Sequence, residues 1–217
     1  METTIPLKNI EDLIVPDGKF GKSFLLCAST RAGKTAMVNF IYQKYFKKHA
    51  TVIMSNSLNS DAYDVIKKSA VVLSDLYHPE ILKDMYQINH ATDNTYEFCV
   101  ILDDLTHVKN DKEYMRLLTI YRNSRISSIT SAQGLAMFNK TCRGNINFVI
   151  LGRLNSDAEV EKVVKEYCLS YFPRDMNLTT KIGYYRALTN DHFFLVINQI
   201  EGQFFRTKLL PEQMYQA

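Results

Sequence analysis

Tryptophan is absent from this 217-residue chain, and glycine (8), proline (5) and cysteine (4) are scarce. Because the glycines and prolines are spread out, no linker divides the chain, and no repeat or low-complexity segment is visible. Cys27, Cys99, Cys142 and Cys168 form no Cys-x-x-Cys pair, which argues against zinc. Two of them lie inside apolar runs and read as small core residues, so a reduced, cytosolic setting is expected. Long hydrophobic runs are missing too. Phe98 to Leu102 and Phe193 to Ile197 are strand-length, far below the ~20 residues of a spanning helix, so no membrane is expected. Residues 1 to 16 lack the basic-then-apolar pattern of an export signal, so a chain that is not secreted is expected. Charge of one sign is missing as well: 26 Lys and Arg face 23 Asp and Glu. Any nucleic-acid partner therefore needs a local basic patch rather than an overall basic surface.

What is present is core-forming: 46% of residues are hydrophobic and 12% aromatic, enough for one domain over residues 1 to 217. Short apolar runs alternate with helical spacings. Strands are expected at Ser23 to Cys27, Thr51 to Met54, Ala70 to Leu73, Phe98 to Leu102, Ile126 to Ala132 and Asn147 to Leu151. Helices are expected at Lys34 to Phe46, Ala62 to Lys68, Pro79 to His90, Asp111 to Tyr121 and Asp157 to Tyr167, the last capped by Ser156 or Asp157. This order predicts a three-layer α/β/α fold with a mostly parallel sheet, its core about residues 20 to 170. Near the end, Tyr184 to Leu188 and Phe193 to Ile197 flank Thr189-Asn190-Asp191-His192, which reads as a hairpin turn. With Gln203 to Thr207 after Glu201-Gly202, they predict an antiparallel β extension over about 180 to 210.

The strongest motif is Ala28-Ser29-Thr30-Arg31-Ala32-Gly33-Lys34-Thr35, between a buried strand and a helix. That context suits a phosphate loop: backbone N–H groups and the helix dipole face the phosphates, with Ala36 in the same first turn. Gly33 permits close approach, Lys34 supplies a point charge, and the Thr35 hydroxyl suits Mg²⁺. Ala28 stands where the usual pattern has its first glycine, which is tolerable if its φ stays negative. The second motif is the apolar strand Phe98 to Leu102 ending in Asp103-Asp104. Asp103 suits Mg²⁺ through its water shell, and Asp104 suits a general base, one methylene shorter than the Glu many ATPases use. Gln133, closing the next strand, is placed to sense a γ-phosphate.

These motifs continue into Tyr121-Arg122-Asn123-Ser124-Arg125, the strand ending in Gln133, and Arg143-Gly144-Asn145. Over roughly residues 20 to 155 the set resembles the genome-packaging ATPases of poxviruses, other large DNA viruses and virophages, within the FtsK–HerA superfamily of P-loop NTPases. The resemblance implies an ATP- and Mg²⁺-dependent motor that moves double-stranded DNA into a preformed capsid. It implies a homo-oligomeric ring, pentameric or hexameric, that meets a capsid vertex or portal-like protein in the host cytoplasm or a viral factory, with association with the virion. It also implies an arginine finger donated by a neighbouring subunit: Arg122 first, then Arg143, then Arg125. It places an extra strand between the phosphate-loop strand and the acidic strand. DNA contacts would come from Lys109, Lys112, Lys140 and Arg143, with Met137 and Phe138 read as core before they are read as duplex contacts. Phe20 suits packing on the sheet, or else on adenine. The competing readings are another translocase of the same superfamily, or a nucleotide kinase or switch indifferent to DNA.

Overall fold

The computed structural model describes residues 5 to 16, 18 to 105 and 108 to 214. Eight strands form one sheet: β1 (Ser23–Cys27), β2 (Ala50–Ser55), β3 (Val72–Ser74), β4 (Phe98–Asp103), β5 (Ile126–Ala132), β6 (Phe148–Leu151), β7 (Phe194–Asn198) and β8 (Gln203–Thr207). Their order is β3-β2-β4-β5-β1-β6-β7-β8. The first six are parallel, and β7 and β8 join antiparallel beside β6. β5 lies between the acidic strand and the phosphate-loop strand, as the resemblance implies.

The central strands read as unbroken apolar runs because both faces are covered. Along β1, Phe24 and Leu26 enter one core while Leu25 and Cys27 enter the other. Helices α1 (Lys34–Ile41) and α2 (Asp64–Lys67) cover the Phe24 face. The opposite face carries α3 (Pro79–Ala91), α4 (Lys112–Thr119), α5 (Lys140–Arg143), α6 (Asp157–Val163) and α7 (Leu178–Leu188). A last short helix, α8 (Pro211–Met214), packs on α1. No helix among the described residues is long and apolar enough to cross a membrane.

Helix ends follow their local chemistry. The Asp111 carboxylate accepts from the Glu113 and Tyr114 amides, both at 2.9 Å, and starts α4. Ser156 holds the N-cap position of α6, without a side-chain bond. α1 and α6 each run on into a π turn, at Tyr42–Phe46 and Val164–Cys168. All four cysteines are buried and free; burial pushes the Cys27 thiol up to about 12.

One expectation is corrected. Tyr184 to Leu188 is the end of α7 and not a strand, so 189 to 192 is no hairpin turn. Leu178, Lys181, Ile182 and Tyr185 recur at helical spacing, and the Asn177 side chain accepts from the Thr180 amide at 2.9 Å. The aromatic pair Tyr184-Tyr185 favours strand on propensity, and the helix period outweighs it. The hairpin is β7–β8, turning through Gly202 at φ 65°. The strand expected from Ala70 forms two residues later, as β3.

Gly21 sits where the chain enters β1. Its amide donates to the Arg122 carbonyl at 2.7 Å, and a Cβ there would lie 2.1 Å from the Ile126 carbonyl oxygen. Backbone cannot yield as a side-chain tip can. Gly21→Ala is expected to cost about 2 kcal/mol of stability, read as a lower urea midpoint with unchanged slope.

Candidate nucleotide-binding site

The phosphate loop leaves β1 at the C-terminal edge of the parallel strands, where such sheets bind ligands. Its entry is tied down. The Ala28 amide donates to the Ala132 carbonyl at 3.1 Å and the Ser29 amide to the Arg153 carbonyl at 2.8 Å. The Ser29 hydroxyl accepts from the Asn155 amide at 2.9 Å. Ala28 is fully buried with a negative φ, so the missing first glycine does no backbone harm. The room it needs comes from Gly152: a Cβ at 152 would lie 2.8 Å from the Ala28 Cβ and 2.7 Å from the Phe194 ring.

Gly33 is the N-cap of α1 at φ 94°, ψ 15°, a conformation suited to glycine. No side chain caps this helix, so its first N–H groups are free to meet an anion. Thr30 and Arg31 form the exposed shoulder of the loop, Arg31 in the left-handed region at φ 62°, while Ala32 is buried beneath it. Lys34 is 7% exposed, with its Nζ 3.8 Å from Asp104 Oδ1. Thr35 and Ala36 follow on the half-exposed first turn.

The parallel register sets Asp103 beside Ser55 on one flank and Ser131 on the other. Asp103 is 2% exposed, and three hydroxyls donate to it: Ser131 to Oδ1, and Tyr63 and Ser55 to Oδ2, the last at 3.4 Å. Burial pushes its carboxyl up to about 6, with the nearby Asp104 charge adding to the shift; Tyr63, Lys34 and Ser55 pull the other way. Tyr63, on the 3-10 turn Asp61–Tyr63, escaped the sequence reading. Its phenol is driven well above its usual range by burial first and the Asp103 charge second, and its hydroxyl also interacts with Thr35. Asp104 has a left-handed backbone, φ 52°, which turns its side chain off the strand toward Lys34. Its Oδ1 is buried with no hydrogen-bond partner.

These groups share a pocket of about 640 Å³ lined by Thr30, Arg31, Gly33 to Ala36, Ser57, Ser60, Asp103, Asp104, His192, Phe194, Leu209 and Met214. One wall carries charge and hydroxyls, and another is apolar. Gln133 emerges at the same sheet edge, between the two motifs because β5 lies between β1 and β4; it is exposed.

Comparison with solved structures gives the same architecture. The genome packaging NTPase B204 from Sulfolobus turreted icosahedral virus 2, in complex with AMP, aligns at a TM-score of 0.62 and 14% identity. The alignment covers 89% of this chain and 100% of that one. Its complex with sulfate gives 0.64 at 15% identity, covering 89% and 98%. The pCW3 conjugation coupling protein TcpA, with ATPγS, gives 0.61 at 11% identity, covering 95% and 69%. The fold is that of these P-loop NTPases. No family model and no curated protein matches the sequence.

The remaining expected residues lie apart. Arg122 is at the opposite, N-terminal edge of the sheet, half-buried, its guanidinium donating to the Asn145 carbonyl at 3.5 Å. Arg125 pairs with Glu97 at that same edge. Arg143 donates to the Leu135 carbonyl at 3.0 Å and pairs with Glu166 at 3.0 Å, which ties α5 to the π turn after α6. The loops before α4 and α5 meet through Asn139 and Asn110 at 3.3 Å, so Lys109, Lys112 and Lys140 share one region. Phe138 is core and Met137 half-buried. Phe20 matches neither expectation: on the bend at 18 to 20 it is 61% exposed, in a hollow it shares with Arg122, and it does not line the nucleotide pocket.

A raised carboxyl makes the folded protein bind a proton more tightly than the unfolded chain. Asp103 therefore lowers stability as pH rises from about 4 to about 6, by up to roughly 3 kcal/mol. In metal-free buffer, Asp103→Asn is expected to melt higher than the parent at pH 7.5, with the difference vanishing near pH 4.

Proposed function

We propose that the chain is an ATP-hydrolysing motor that drives double-stranded DNA into a preformed capsid. It works as a homo-oligomeric ring, pentameric or hexameric, seated on a capsid vertex or portal-like protein during assembly in the host cytoplasm or a viral factory. The observation that carries this reading is Lys34, Asp103 and Asp104 in one pocket at an uncapped helix N-terminus, on a fold that spans the whole length of a viral packaging NTPase.

The residues fit a magnesium ion. The Asp103 carboxylate accepts from the Tyr63 phenol, the Thr35 hydroxyl lines the same pocket, and a buried oxygen of Asp104 lacks a hydrogen-bond partner. Magnesium needs only one or two protein ligands when phosphates and water supply the rest. Thr35 and Asp103 would hold it, and it would neutralise phosphate charge.

The chain's own groups do the rest. The loop amides and Lys34 hold the phosphates. Asp104 accepts a proton from water whose oxygen attacks the γ-phosphorus, and ADP leaves. Gln133 reports the loss of the γ-phosphate. Arg122 of a neighbouring copy stabilises charge on the transferring group, since it cannot reach its own chain's loop. Lys109, Lys112 and Lys140 meet DNA phosphates without reading sequence.

The test is ATP hydrolysis with and without double-stranded DNA. DNA is expected to stimulate the wild type. Lys34→Ala loses nucleotide binding. Asp104→Asn still binds and loses about a hundredfold or more in rate. Arg122→Ala binds normally and loses about a thousandfold. Hydrolysis indifferent to DNA, or phosphate passed to a small acceptor, sinks the motor in favour of a kinase or switch. DNA stimulation without capsid engagement leaves a translocase of another kind.

A further inference from the structure

The phosphate machinery fills only part of the 640 Å³ pocket, a volume within the usual range of about 300 to 1,000 Å³ for small-molecule sites. Beyond the phosphate loop and the two aspartates, Ser57 and Ser60 line one side, and Ala36, His192, Phe194, Leu209 and Met214 form a mainly apolar wall. Four of these come from the chain after residue 190: His192 on the turn before β7, Phe194 on β7, Leu209 between β8 and α8, and Met214 at the end of α8. We infer that the β7–β8 hairpin and α8 form a nucleobase shelf, which grips the base of a purine nucleoside triphosphate by apolar contact while the phosphate loop holds the other end. The inference rests on the nucleotide-binding reading of that loop.

Distance supports it. A Cβ on Gly33 would lie 3.5 Å from the Phe194 ring and 3.8 Å from His192 Nδ1, so the shelf begins directly beside the loop. Phe194 and Leu209 are 2% and 3% exposed and form a fixed wall, whereas Met214 is 38% exposed and free to close over a flat ligand.

The shelf is braced independently of the catalytic groups. The Gln213 amide nitrogen donates to Asn9 Oδ1 at 3.0 Å and Glu11 Oε1 at 3.1 Å, which pins α8 to the N-terminal segment. The Gln213 oxygen accepts from the Leu210 amide at 2.8 Å. The turn carrying His192 is held by Lys208 on Asp191 at 3.0 Å, and by Arg206 stacked 3.6 Å from the Phe193 ring. A preorganised apolar slot loses little entropy when a base enters.

The chemistry predicts selectivity as well as site. On the apolar wall only His192 has a polar side chain, so a base gripped there meets few fixed donors or acceptors, and the nearest others, Ser57 and Ser60, are exposed hydroxyls. An apolar slot rejects an isosteric base weakly, whereas a hydrogen-bonding slot rejects strongly. Adenine and guanine nucleotides should therefore bind within about tenfold of each other.

The test compares ATP, GTP and inorganic tripolyphosphate by calorimetry on wild type, Lys34→Ala, and a Met214→Ala/His192→Ala double variant. The two substituted side chains are at the surface rim, and a thermal melt checks that the double variant remains folded. The shelf predicts that the double variant loses about five- to tenfold in ATP and GTP affinity and keeps its tripolyphosphate affinity. Equal losses for all three ligands, no loss for any, or rejection of GTP by more than a hundredfold overturns it. If wild type binds neither ATP nor tripolyphosphate, or Lys34→Ala binds both as well as wild type does, the phosphate loop itself is misread and the shelf falls with it.

Discussion

Asp103 is a carboxylate carried to the buried end of an apolar strand, and the surrounding site is organised by that fact. Leaving such a charge without partners costs several kcal/mol, so hydrogen-bond donors must converge on it. Ser55 and Ser131 do so because the parallel register puts them level with it on the two neighbouring strands. Tyr63 arrives from the turn after β2. The same three hydroxyls fix the carboxylate's orientation toward the helix that starts at Lys34. Even with them in place its carboxyl stands well above the ordinary range, a destabilising feature that packing alone would not select.

The loop shows how a departure from a motif is absorbed. The usual first glycine gives space as well as backbone freedom. Ala28 needs no backbone freedom because its φ is negative, and the space is supplied across the sheet by Gly152 at the end of β6. The freedom that cannot be replaced is at Gly33, whose positive φ turns the chain into α1. The tolerance of one position and the rigidity of the other follow from the same two quantities, torsion and contact.

Most of this was legible in the sequence where one strong period or one short motif dominates. The strand at Phe98 to Leu102, the helix starting at Lys34 and the meeting of Gly33, Lys34, Asp103 and Asp104 follow from apolar runs and from the rule that such sheets bind at their C-terminal edge. Gln133 falls between the motifs because its strand does. What was not legible depends on tertiary contact. Nothing near Tyr63 marks it as a partner of Asp103, forty residues away in sequence. Phe20 looks like core from its ring alone, yet it sits exposed on the bend before β1. Tyr184-Tyr185 carry strand propensity, and only the longer pattern from Asn177 shows the helix. Arg143 reads as free for catalysis in sequence, while in the fold its guanidinium already has a carboxylate and a carbonyl.

The two edges of the sheet divide the labour that the motor reading requires. The five residues of β1 span roughly 15 Å, with the phosphate loop at one end and Arg122 at the other. No rotamer brings that guanidinium to its own chain's Lys34. If Arg122 completes a site, a second copy must present its N-terminal edge to the first copy's C-terminal edge, a head-to-tail contact of the kind that closes into rings. The surface around Arg122 suits burial in such a contact, since Phe20 and Ile200, both exposed, line the same hollow. Hydrolysis would then be contingent on assembly, so an isolated chain would bind nucleotide without spending it.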